Sequence, residues 1–336
     1  MQFGYSETCL AHDTGKRHPE TADRLRAIRR ALAKRHGVDY VDADPADDGD
    51  VASVHDDGYV SEIRSFCEGG GGNWDPDTVA SEETWDAALA SAGLSQWAAR
   101  EAVDGANGRD TPFAIGRPPG HHAVEDDAMG FCFVNNAAVA AQTVLDETDA
   151  ERVAIFDWDV HHGNGTQDIF YDRADVFYAS IHEDGLYPGT GAVEETGSGD
   201  GEGTTLNAPL AAGAGDADYD HVVESVLRPA LERFDPDLFI VSAGFDAHRH
   251  DPISRMRVST EGYAQMTDAV RGIADDVDSG LAFVLEGGYG LDTLSEGVAI
   301  VHETFDGRSP MDVEEDPDEK TNSLVEELRS VHALDD

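Results

Sequence analysis

The sequence predicts an α/β fold, a single domain built on one parallel sheet with helices on both faces. Two observations predict it. Short apolar runs, each ending in a turn, alternate with helical stretches along much of the chain, which is the pattern of βαβ crossovers. The 336 residues also contain no internal repeat and no interdomain linker, so a length that suits one large domain or two smaller ones reads as one.

In chain order, residues 1–36 open with a short strand-like start and carry His12-Asp13 and His18-Pro19-Glu20. An amphipathic helix follows, with Leu25, Ile28 and Leu32 at helical spacing among Arg24, Arg26, Arg29 and Arg30. Residues 37–58 are Asp-rich and loop-like, and a short helix begins near Tyr59. Glu68-Gly69-Gly70-Gly71-Gly72-Asn73 reads as a surface loop or a disordered insertion. Trp85 to Val103 is an Ala-rich helix.

Strand-then-turn units come next. Pro112–Ile115 leads into Gly120-His121-His122, Val153–Val160 into His161, and Val176–Ile181 into His182. Leu238–Ser242 leads into Gly244-Phe245-Asp246, and Leu281–Leu285 into Gly287-Gly288-Tyr289. Helices over 135–147, 218–234 and 259–274 separate several of them. We expect a domain over 1–310 and an acidic tail over 311–336, with a short helix through Leu324, Val325 and Leu328. In open α/β sheets ligands bind beyond the carboxyl ends of the strands, and the ionisable residues named above lie there.

Charge is the outlier of the composition: 69 Asp+Glu against 23 Lys+Arg, a formal net of −46, with lysine only at 16, 34 and 320. Self-repulsion on this scale destabilises a compact state in dilute buffer and is screened at molar salt, so the surplus implies a halophilic, salt-rich cytoplasm. It disfavours direct nucleic-acid binding, because no basic stripe exists to meet phosphates. Cys9, Cys67 and Cys132 are far apart and form no CxxC pair, so neither a disulfide framework nor a thiolate zinc site is expected. No secretory leader and no 18-residue apolar run is found, which leads us to expect a soluble, cytoplasmic protein without membrane contact.

The chemistry concentrates in Val153–Thr166, VAIFDWDVHHGNGT. Its apolar start reads as a buried strand. Strand alternation would send Asp157, Asp159 and His161 to one face, and Thr166 can cap the helix that follows. Two carboxylates and an imidazole converging at a buried strand end are costly unless a cation compensates them. A divalent metal is the obvious compensation.

The segments HDTGKRHPETADRLRAI, RPPGHHAVEDDAMGFCFVNNAAVA, DWDVHHGNGTQDIFY, SIHEDGLYPGTG, SAGFDAHRHDP and LEGGYG resemble the histone deacetylase superfamily, which includes acetylpolyamine amidohydrolases and acetoin-utilisation proteins. They run in family order from about residue 5 to 300 and imply an arginase/deacetylase-like fold. Carried over by position, the resemblance makes Asp159, His161 and Asp246 the zinc ligands, an open set that leaves room for water and substrate. Such oxygen-rich ligation also admits Fe²⁺ or Mn²⁺.

By the same resemblance His121 and His122 handle protons, without indicating which is the base. Asp157 partners His121 and, with Ser180, resembles a monovalent-cation (K⁺) site. Asn164 stands where some members carry an Asp, and should make His122 less basic. Tyr289 aligns with the tyrosine that stabilises the oxyanion. Phe131, after Gly130, and Tyr187 resemble the aromatic walls of the acyl channel, and Arg24 an arginine on the product exit. Ile253 replaces the acidic gatekeeper of polyamine-specific relatives. Asp75 or Asp77, after the Gly run, is a candidate for gripping substrate.

The implied activity is a metal-dependent deacylase acting on acetyl-lysine in protein or peptide. Within that class the alternative is an amidohydrolase of acetylpolyamines or another acetylated small amine. A ureohydrolase with two Mn²⁺ ions would show more metal-spaced aspartates than this chain has. A non-catalytic binding protein would show a broken ligand or a missing Tyr, and neither occurs.

Overall fold

A computed structural model describes residues 1–312 and 315–334; Val313, Glu314, Asp335 and Asp336 of the expected tail lie outside the described residues. Eight strands form the main sheet: β1 Gln2–Gly4, β2 Asp39–Val41, β3 Pro112–Ala114, β4 Val153–Asp157, β5 Val176–Glu183, β6 Thr205–Leu210, β7 Leu238–Ala243 and β8 Gly280–Leu285. Their order is β2-β1-β3-β8-β7-β4-β5-β6. Every pairing is parallel, so all carboxyl ends share one edge. β4, β5 and β7 are buried at every residue, as strands covered on both faces must be.

The helices form where apolar periodicity places them, at Thr84–Val103, Asn136–Glu147 and Thr260–Asp276. The 218–234 stretch is not one helix: it runs Asp216–Val222, a wider π turn over Val223–Leu227, then Arg228–Phe234. β2 falls in the stretch expected to be loop, and β6 was not foreseen. Both are edge strands, and β2 is only three residues long, too short to show an alternation. The Gly run is neither loop nor disordered throughout, because Gly72–Asn73 pairs antiparallel with Val79–Ala80. In the acidic tail, helix Glu319–Val331 buries Thr321, Val325 and Leu328, and Thr321 Oγ1 donates to Asp218 at 2.6 Å.

Beneath the carboxyl edge lies a fully buried ion pair. Arg117 donates to both oxygens of Glu20, at 2.8 and 2.6 Å, and to the carbonyls of Cys9 and His12. Burial alone would raise the Glu20 pKa; the Arg117 guanidinium overrides it and holds the carboxyl well below its usual range. Removing one partner of such a pair strands the other charge. Arg117→Ala is therefore expected to cost about 3–5 kcal/mol of stability, read as a lower urea midpoint at unchanged m.

Candidate active site

At the end of β4 the chain stops being a strand. Asp157 Oδ1 accepts the Asp159 N–H at 3.0 Å, and Asp159 Oδ1 accepts the His161 N–H at 2.9 Å. These side chain–backbone bonds curl the chain into a turn. The expected strand to Val160 is thus corrected, and with it the single-face alternation: the turn gathers Asp159 and His161, while Asp157 is bonded to His121. Thr166 is no cap either, because the helix starts at Asn164 and Thr166 Oγ1 lies 3.1 Å from Asn135 Nδ2, which donates to it.

Asp246, just beyond β7, completes a cluster. One ligand atom from each of Asp159, His161 and Asp246 lies within 4.8 Å of the others. His161 Nδ1 is 2.9 Å from Asp159 Oδ1 and 3.3 Å from Asp246 Oδ2. The carboxylates are fixed by backbone donors, Gly287 N–H to Asp159 Oδ2 at 2.8 Å and Val160 N–H to Asp246 Oδ1 at 2.9 Å. Gly244 allows this packing, since a Cβ there would sit 2.0 Å from Asp159 Oδ2.

Both carboxylates are fully buried, and Asp246 Oδ2 has no hydrogen-bond partner among the described residues. Burial and then the Asp159 charge raise the Asp246 pKa. Burial would lower that of His161, but Asp159 and Asp246 reverse this and lift it to about 10. A cation between these carboxylates would compete with a proton for the same imidazole. Two buried carboxylate oxygens and an imidazole nitrogen this close together suit a divalent cation with an open coordination position.

The tandem histidines sit beside this cluster with ring centroids 4.0 Å apart, yet their surroundings differ. His121 Nδ1 is 2.8 Å from Asp157 Oδ2. Burial pushes its pKa down, but Asp157 and Asp159 more than compensate and raise it to about 10. His122 Nδ1 is 2.8 Å from Asn164 Oδ1, a neutral acceptor. Burial, then the nearby His121 and His161, hold His122 well below its ordinary value. Because an amide oxygen only accepts, Nδ1 of His122 carries its hydrogen and Nε2 keeps a free lone pair.

Phe131 stands at φ +70, a conformation costing a bulky residue about 1–3 kcal/mol and concentrated at functional sites. Its ring meets Tyr289 edge-on at 5.7 Å and His18 at 4.5 Å. Tyr187, 38% exposed, meets His122 edge-on at 5.1 Å. Gly130, at φ +55, lets the chain before Phe131 approach His122: a Cβ there would lie 2.4 Å from His122 Cδ2. Gly130→Ala is expected to displace His122 and lower kcat by about 10–100-fold, with metal content unchanged as measured by elemental analysis.

The remaining expected residues are more dispersed. Ser180 is the register partner of Asp157, and its hydroxyl lies 3.0 Å from His182 Nδ1. Arg24 is fully buried, under the Tyr289 ring at 5.0 Å, with donors engaged by the Gly288 and Glu286 carbonyls. Ile253 is half-buried, its N–H on Asp251 Oδ1 at 3.0 Å. Asp75 closes its own turn, accepting from Asp77 and Thr78, and the Asp77 carboxyl lies beside it. Burial, then Asp75, raises the Asp77 pKa.

Sequence reading passed over two buried acids. Glu286 accepts from the Gly120 and His121 amides at 2.8 and 3.2 Å, and burial pushes its pKa to about 7. Asp251 accepts from the Tyr289 and Gly290 amides. Glu286 directly follows β8, but the backbone amides that hold both acids leave no mark in the spacing.

Comparison with known proteins agrees with this fold. A histone deacetylase domain model matches residues 18–305. Histone deacetylase 10, chloroplastic, of Oryza sativa is 37% identical, over 94% of this chain and 78% of its own. A histone deacetylase-like amidohydrolase of Pseudomonas aeruginosa is 41% identical, over 81% and 71%. A probable deacetylase of Archaeoglobus fulgidus is 37% identical, over 86% and 81%. The solved HDA15 HD domain superposes with a TM-score of 0.90 at 36% identity, covering 98% of this chain and 93% of that one. Among the described residues no helix is long and apolar enough to cross a membrane. The chain belongs to the histone deacetylase family.

Proposed function

We propose that the protein is a metal-dependent deacylase that hydrolyses the N-acetyl amide of acetyl-lysine in a protein or peptide and releases acetate. The observation that carries this reading is the close Asp159–His161–Asp246 triad, its two carboxylates buried, with two unlike histidines beside it. When bound there, Zn²⁺ (or Fe²⁺ or Mn²⁺) supplies Lewis acidity, lowering the pKa of a water and polarising the acyl carbonyl.

The protein's own residues do the rest. His122, neutral and with Nε2 free, takes a proton from the attacking water and later gives it to the leaving amine. His121, held cationic by Asp157, adds positive charge where the oxyanion develops. Burial keeps the Tyr289 phenol protonated far above neutral pH, so it donates a hydrogen bond to the acyl oxygen. Phe131 and Tyr187 flank the acyl stem, and Arg24 lines the product route.

Apolar Ile253 favours an acetyl-lysine stem. The second reading, an acetylpolyamine, draws on Asp75 and Asp77, whose charges help raise the pKa of the Tyr187 phenol after burial and would attract a polycation. The test is turnover of an acetyl-lysine peptide against acetylspermidine with Zn²⁺ at high salt. We expect the peptide to give the higher kcat/KM; a large preference for acetylspermidine reverses the order of the two readings.

A further inference from the structure

We propose that Asp251 is a positioning residue that fixes Tyr289 for the reaction; the inference rests on the reading of Tyr289 as hydrogen-bond donor to the acyl oxygen. After β8 the chain runs Glu286-Gly287-Gly288-Tyr289-Gly290. Three glycines around one tyrosine offer no side chains to pack, and Gly288 stands at φ +115. Such a segment does not hold its own shape. A hydroxyl that must meet a developing oxyanion within hydrogen-bond reach needs its backbone held from outside.

Two side chains do so from opposite sides. Arg24 takes the carbonyls of Glu286 and Gly288. Asp251 takes the amides: its Oδ2 accepts from Tyr289 N–H at 2.7 Å and Gly290 N–H at 2.8 Å. Its Oδ1 accepts from Ile253 N–H at 3.0 Å, and its own N–H donates to His248 O at 2.7 Å. Three amides thus converge on one carboxylate that is 6% exposed, and hydrogen bonds to an ionised acceptor are about twice as strong as neutral ones.

Stability alone does not explain this acid. No Arg, Lys or His lies within ion-pair distance of Asp251 among the described residues, and burial, then the charge of Asp246 on the same loop, opposes its ionisation. What a carboxylate does provide is two oxygens for three amides, which joins the segment carrying Asp246 and Ile253 to the segment carrying Tyr289. The metal ligand and the oxyanion donor then keep a fixed relation.

The test is a double-mutant cycle on the preferred substrate of the panel, with Asp251→Ala, Tyr289→Phe and the pair, each checked for metal content and unfolding midpoint. We expect Asp251→Ala to lower kcat about 10–100-fold, with KM little changed and metal content equal to wild type. In the Tyr289→Phe background the same substitution is expected to have almost no further effect, because the hydroxyl it positions is already gone. Should the alanine variant not fold, the cycle is run with Asp251→Asn, where one amide oxygen must serve both sides; the loss is smaller and the non-additivity the same. An effect of Asp251 that multiplies through undiminished in the Tyr289→Phe background, or a wild-type kcat in Asp251→Ala, overturns the inference while leaving the function standing. A Tyr289→Phe enzyme with full activity overturns both the role of Tyr289 and the inference built on it.

Discussion

Replacing His122 with alanine is expected to lower kcat by about 10²–10⁴-fold, the contribution of one well-placed general acid–base group, with metal content unchanged. His122 is the imidazole of the pair with a free lone pair: His121 is bonded to the Asp157 carboxylate and cationic, whereas His122 is bonded to Asn164 and neutral. The partner sets this difference, so it can be moved. In Asn164→Asp a carboxylate would favour the charged form of His122 and raise its pKa. In the proposed mechanism the neutral form acts, so the acidic limb of the kcat/KM profile should shift to higher pH. Activity that survives His122→Ala but collapses in His121→Ala would assign the base to the other imidazole.

The second large effect is expected for Asp246→Ala, with loss of bound metal and a fall in turnover of about 10³-fold or more, the several kcal/mol that a Lewis acid supplies. The same substitution should not destabilise the metal-free protein by a comparable amount, because it removes one of two buried carboxylates that raise each other's free energy. Metal binds the folded state and so raises wild-type stability; differential scanning calorimetry should show a Zn²⁺-dependent rise in Tm for wild type and none for the variant. A variant that still binds Zn²⁺ and turns over removes Asp246 from the ligand set.

How much of this was legible beforehand follows from the physics of each part. The buried strands β4, β5, β7 and β8 announced themselves as apolar runs bounded by glycine and charge. The three-residue β2 carried no periodicity to read. The donor triad was legible as residue types, but not its construction. A strand pleat was expected to align Asp157, Asp159 and His161; instead the strand ends at Asp157, three residues early, and side chain–backbone bonds gather only Asp159 and His161. Asp157 consequently faces His121, the partner the resemblance had implied. Arg24 sat in a helical pattern that gave no hint of its burial beneath Tyr289. Glu286 and Asp251 were passed over for a different reason: their partners are backbone amides of distant loops, which leave no mark in spacing or composition.

The most direct measurement is the number and place of divalent ions per chain, by elemental analysis of the dialysed protein and anomalous scattering from its crystals. One ion per chain between Asp159, His161 and Asp246 is the predicted result. Two ions would point to ureohydrolase-type chemistry, and none under conditions of full turnover would contradict a metal-dependent site altogether.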